Sequence, residues 1–189
     1  MRKTLLIGFL FFALSLFSPP VVLAKKIAGQ SATFTRRFEH PNLKEVISKK
    51  MLKTEIIRRV LDIYSSPLVD QSEIFVEIGF RYNIDCYLLP AIAGVESTFG
   101  HYLYPNSYNP FGWGGGSVIF PNWQAAIETV GQKLRTNYFD RGYTTIETIA
   151  PIYAQSPNWA QKVNYFIQVF QTEEEKINLH ISKNQLELD

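Results

Sequence analysis

The stretch Cys86-Tyr87-Leu88-Leu89-Pro90-Ala91-Ile92-Ala93-Gly94-Val95-Glu96-Ser97-Thr98-Phe99-Gly100 decides how this chain is read. From Cys86 to Val95 no side chain is charged, and then a carboxyl arrives. A helix that is apolar all round is a buried helix, so residues 86–98 are expected to form a core helix. Pro90 falls early in it and removes a backbone donor, which makes the first turn its weak point. Leu89, Ile92 and Ala93 precede Glu96 by seven, four and three residues and share its face. Burial disfavours an ionised carboxyl, and so do the carbonyls of a last helical turn. A carboxyl held neutral near neutral pH is what protonation of a leaving oxygen needs. The alternative is a structural glutamate paired with Arg135 or Arg141.

Outward from this helix the chain reads as mainly α. Residues 43–64 place Val46, Ile47, Met51, Leu52, Ile56, Ile57, Val60, Leu61 and Tyr64 at helical spacing under a basic outer face. Ser65-Ser66-Pro67 breaks the pattern, and Asp70 or Ser72 is expected to cap a helix ending near Tyr82 with Ile74, Phe75, Ile78 and Tyr82 inward. Asn83-Ile84-Asp85 is a turn, with Asp85 able to cap the core helix. Asn122 and Asn158, each in a Pro-Asn-Trp triplet, are expected to cap helices over 123–138 and 159–172. A shorter helix is expected over 144–153, and the charged segment from 173 on is expected to fray. Residues 117–120 are the one candidate strand.

Between the core helix and Asn122 lies a long stretch, 101–121, too long to be an idle connection. It holds Tyr102, Tyr104, Tyr108, Phe111, Trp113 and Phe120, with Asn106, Asn109 and four glycines, Gly112, Gly114, Gly115 and Gly116. Aromatic faces stack on sugar rings and asparagine amides bond hydroxyl and amide groups. Aromatics also fill cores, so the stretch points to a carbohydrate cleft only because a lone core-helix glutamate adjoins it.

Composition narrows the classes. The 189 residues suit one domain, and 46% apolar with 19% charged excludes a disordered polar chain. The net charge of +2 comes from Arg2 and Lys3; from Lys25 on, acidic and basic residues number 17 each. A bulk-basic nucleic-acid binder is therefore disfavoured. A single cysteine, Cys86, forms no internal disulfide and reads as a small buried side chain. Three histidines without close spacing give no metal signature, and no cofactor is expected.

The N-terminus reads as an export signal. Met1-Arg2-Lys3 precedes an apolar run over 5–17, then Pro19-Pro20 and Val22-Leu23-Ala24. The expectation is a signal peptide over 1–24 cleaved near Ala24, a basic arm over 25–41, a domain over 42–172 and a charged tail over 173–189. The protein would then be secreted, periplasmic or wall-associated. Residues 25–60 carry ten basic and three acidic side chains. That is either a solvated face or a contact for an anionic wall polymer or membrane surface.

With these residues in view, a resemblance stands out. Gly94-Val95-Glu96-Ser97-Thr98-Phe99-Gly100 resembles the helix-end Glu-Ser motif of the lysozyme-like superfamily, shared by lytic transglycosylases and bacterial endo-β-N-acetylglucosaminidases. Asn109-Pro110-Phe111-Gly112 is similar to the Asn-x-Phe-Gly element that follows it there. Tyr153-Ala154-x-Ser156-x-x-Trp159-Ala160-x-Lys162-Val163 resembles the C-terminal segment. The resemblance implies a lysozyme-like helical domain, a long Gly/aromatic loop standing in place of a full β-lobe. It implies cleavage of β-1,4 bonds in peptidoglycan glycan strands, with Glu96 as the catalytic acid. Tyr153 would line the site and hydrogen-bond Glu96. Ser97, Tyr108, Asn109, Phe111, Gly112 and Trp113 would form the substrate-binding set, with Asn109 and the Phe111 backbone holding an N-acetyl sugar. One departure is plain: no Asp or Glu occurs over 97–127, where glucosaminidase relatives carry a second acid. Glu128, Asp140 and Glu147 lie beyond it and read as surface or cap residues. A single-acid route through the sugar's own 2-acetamido group fits this pattern. A catalytically silent glycan-binding module on the same fold is the alternative, and a helical interaction domain a third reading.

Overall fold

The computed structural model describes residues 41–186; the expected signal peptide and basic arm lie outside the described residues. Six α-helices follow in order: α1 (Pro41–Ile63), α2 (Ser72–Tyr82), α3 (Leu88–Ser97), α4 (Trp123–Asn137), α5 (Ile146–Tyr153) and α6 (Trp159–Leu186). Single 3-10 turns, Val69–Gln71 and Phe139–Arg141, precede α2 and follow α4. The class is mainly α, and no strand occurs among the described residues. Residues 117–120 contribute instead one backbone bond, Phe120 N–H to Ser107 O at 2.7 Å. A lone bond of this kind does not make a ladder. No described helix is long and apolar enough to cross a membrane.

The core helix α3 is where its apolar run puts it. Leu88, Leu89, Pro90, Ala91, Ile92, Ala93 and Gly94 are all buried, chiefly against α6. Each large aliphatic among them contributes roughly 1.5–3 kcal/mol on burial. The helix begins at Leu88 rather than Cys86, because Pro90 then sits in the first turn, where its missing N–H has no partner to lose. Asp85 Oδ1 accepts from Tyr87 N–H at 2.7 Å just ahead of it. A side chain at Gly94 would meet the Phe99 ring at 2.7 Å and Phe166 at 3.0 Å, so glycine there sets how near α6 approaches.

The end of α3 is strained. Thr98 (φ 51°) and Phe99 (φ 55°) are both left-handed, which costs on the order of 1–2 kcal/mol per residue. The turn sends Phe99 back into the core, fully buried between Tyr64 (4.7 Å), Phe166 (4.8 Å) and Phe170 (6.4 Å). That aromatic burial offsets the strain and fixes Glu96 and Ser97 at the rim of the core.

Several expected details change. Neither Asp70 nor Ser72 caps α2: Ser72 is its first residue, and its hydroxyl donates back to Val69 O at 2.6 Å. Asn122 does cap α4, accepting from Ala125 N–H at 2.8 Å. Thr145 starts α5 in a reciprocal box with Thr148. On α1, Ile47 and Met51 are exposed, and the inner face begins in earnest at Ile56. The largest difference is α6, which runs on to Leu186 instead of ending near Thr172. Where the extension starts, it is tied down. Glu174 Oε2 accepts from Lys53 Nζ at 2.8 Å and from Tyr87 OH at 3.0 Å, so a stretch that reads as solvated is clasped to α1 and α3.

Candidate active site

Glu96 sits in the last turn of α3, half-buried, on the wall of an open cleft of ≈ 380 Å³. The cleft is also lined by Gly112, Tyr153, Gln155, Ser156, Trp159 and Lys162. Glu96 Oε1 accepts a hydrogen bond from Trp159 Nε1 at 2.6 Å. An indole N–H only donates, so the proton of the neutral acid belongs on the other oxygen, Oε2. That oxygen lies against Gly112, where a Cβ would come within 3.0 Å of it. Gly112 adopts φ 61°, a conformation side chains disfavour, so the loop passes Oε2 as bare backbone. Burial raises the Glu96 pKa, while the Trp159 bond and the Lys162 charge pull it down.

The aromatic support is a stack. The Tyr153 ring lies on Trp159 with centroids 4.8 Å apart, and Trp113 and Tyr138 close in at 6.0 and 6.2 Å. Tyr153 does not hydrogen-bond Glu96; its hydroxyl donates to Phe111 O at 2.9 Å. It therefore ties α5 to the loop that passes the acid, while Trp159 takes the direct contact. Burial, with the Glu96 carboxyl second, pushes the Tyr153 phenol well above its ordinary range. It is a neutral donor, not a base.

The loop residues divide in two. Asn109 is 4% exposed and its amide is fully engaged: Nδ2 donates to Trp113 O (2.9 Å) and Val118 O (3.1 Å), and Oδ1 accepts from Trp113 N–H (3.0 Å). It builds the loop and has no donor left for a sugar. Ser97 is buried too; its hydroxyl reaches Ala93 O (3.0 Å) and Pro110 O (2.8 Å) and accepts from Gly100 N–H (2.9 Å). It rivets the loop to α3. Phe111 is wholly buried and offers the site only its carbonyl, which Tyr153 takes. Gly112 remains beside the acid, while Trp113 packs on Tyr153 and does not line the cleft. Tyr108 (φ 45°) is turned edge-on to Trp123 at 5.1 Å, and Tyr102, Tyr104 and Ile119 project into solvent.

Among the described residues no second carboxylate lines the cleft. Glu128 bonds Arg81 at 2.6 Å, Asp140 bonds Arg135 at 2.8 Å, and Glu147 accepts from Asn164 Nδ2 at 2.9 Å. Arg135 is thereby committed to Asp140, and the pairing of Glu96 with Arg135 does not form. Cys86 is partly buried, and burial pushes its thiol up to about 11, far from a reactive thiolate. Among the described residues no cluster of His, Cys, Asp or Glu could hold a metal ion.

Trp159 and Lys162 are site residues that periodicity alone did not single out. Their signal was present: one turn apart on one helix face, inside the quoted C-terminal motif. No known protein-family model matches this chain, and a search of curated proteins gives no match either.

Proposed function

We propose that this protein is an exported enzyme that cleaves the β-1,4 bonds of peptidoglycan glycan strands on a lysozyme-like helical domain, with Glu96 as acid and then base. One observation carries the proposal: a half-buried carboxyl, its pKa raised, opening on a cleft with one oxygen held by Trp159 and the other turned to Gly112.

The chemistry follows from those two oxygens. Oε2 delivers its proton to the glycosidic oxygen as the C1–O bond breaks. The cation at C1 is taken up by the carbonyl of the sugar's own 2-acetamido group, since among the described residues no second carboxylate lines the cleft. The Glu96 carboxylate, steadied by the Trp159 N–H, then accepts a proton from the nucleophile as that oxygen attacks C1. The sugar's 6-hydroxyl as nucleophile gives an anhydro end, and water gives a reducing end. Tyr153 acts as a positioning residue: it stacks on Trp159 and holds the Phe111 carbonyl.

Outside the cleft, the same reading takes the basic segment 25–60 as a contact for anionic wall polymer or head groups. On α1, Lys53, Arg58 and Arg59 are tied to Glu174, Glu55 and Glu173 and Lys50 lies over the Phe80 ring, which leaves Lys44 and Lys49 as exposed cations without an ion pair among the described residues.

The test is release of soluble muropeptides from purified cell walls by wild type and Glu96→Gln. Wild type is expected to release them and the variant not. Equal release ends the enzymatic reading. Tight glycan binding with no release by wild type selects the silent binding module.

A further inference from the structure

Lys162 lies one helical turn beyond Trp159 on α6 and lines the cleft beside Glu96. Among the described residues it is the only basic one lining that cleft, it is exposed, and it makes no ion pair. Other helix cations are paired, Lys53 with Glu174, Arg81 with Glu77 and Glu128, Arg135 with Asp140, while the exposed Lys44, Lys49 and Lys133 do not line the cleft. A free ammonium at this spot works against a general acid, because its charge favours ionised Glu96. An anion carried in by the substrate removes that opposition.

We infer that Lys162 is the docking point for a carboxylate of the substrate, so that the cleft selects acidic amino-sugar glycans over neutral ones. The inference rests on the glycan-cleaving reading above and names the substrate class within it. Among β-1,4 amino-sugar polymers, chitin-type chains are neutral. Muramic-acid chains carry a lactyl carboxylate or, where that is amidated, the carboxylates of a peptide. A flexible lysine suits an anion whose position varies, where a rigid guanidinium fork does not. Gln155 and Ser156 add neutral polar groups on the same wall. Once the anion is seated, Glu96 moves back toward its protonated form, so the substrate primes its own acid. The other titratable group facing Glu96 is Tyr153 from α5; Gly112 and Val95 bring none.

The experiment is calorimetric titration of the full chain in a Glu96→Gln background, with and without Lys162→Met. Three probes are used: a chitin hexamer, glycan strands stripped of peptide, and peptide-bearing strands. Lys162→Met is expected to weaken binding of acidic strands about fivefold at low salt, as loss of one exposed charge pair predicts, and of the chitin hexamer clearly less. Lys162→Arg keeps the charge without the adaptable ammonium and is expected to retain only part of the preference. Loss on stripped strands assigns the contact to the lactyl carboxylate, which is free there; loss on peptide-bearing strands assigns it to the carboxylates of the peptide. Equal weakening of acidic and neutral glycans, or of neither, overturns the inference while cleavage by wild type still stands. No glycan binding at all, with no cleavage by wild type, removes the reading beneath it as well.

Discussion

Glu96 depends on two neighbours of opposite kinds. Burial holds it toward the neutral acid, and Trp159 Nε1 at 2.6 Å favours the carboxylate. Glu96→Gln is expected to lower muropeptide release by roughly 10²–10⁴-fold, the usual worth of a general acid. It should also change stability with pH. The folded pKa of Glu96 lies above its unfolded value, so the stability it supports is present at low pH and lost as pH rises through the raised pKa. The melting temperature of Glu96→Gln should therefore gain on wild type across that window, read by thermal scans at stepped pH. Trp159→Phe removes the donor that favours ionised Glu96. The alkaline limb of the pH–rate profile should then move to higher pH; a limb that stays or moves down contradicts the assignment.

The elements are held by polar contacts that look dispensable along the chain. The second half of α6 is anchored where it starts, since Glu174 receives Lys53 and the buried Tyr87 hydroxyl together. Glu174→Ala leaves both donors without it, and about 1–3 kcal/mol should be lost, read by urea unfolding. The loop over 101–121 is ordered by Asn109 rather than by any strand. Its side chain replaces three backbone partners at once. Asn109→Ala is expected to leave helix content nearly unchanged by circular dichroism while opening 101–121 to limited proteolysis. Protease resistance equal to wild type would show that the loop stands without it.

Among the described residues Glu96 is the one carboxyl that lines the cleft, and the other candidate acids sit on the surface. Glu128, Asp140 and Glu147 each have a partner away from Glu96. Glu128→Gln, Asp140→Asn and Glu147→Gln should each keep wall-cleaving activity within about threefold, since surface ion pairs contribute little. Loss of activity in any of them would introduce the second acid that the single-acid route omits. The same route predicts products with anhydro ends where the 6-hydroxyl attacks, read by mass spectrometry.

What the chain determined by itself was local. An uncharged run ending in one carboxyl makes α3 a core helix with Glu96 at its rim, because helical period and hydrophobicity act over a few residues. Asn122 marks the start of α4 for the same reason: a cap needs only its own first turn. Tertiary structure decided who meets Glu96. Trp159 is 63 residues away, and its indole arrives only because α6 packs along α3. Tyr153 stacks on that indole and bonds Phe111, and Asn109 turns inward to its own loop. A side chain's partner depends on which surfaces pack together, and a one-dimensional pattern does not contain those distances.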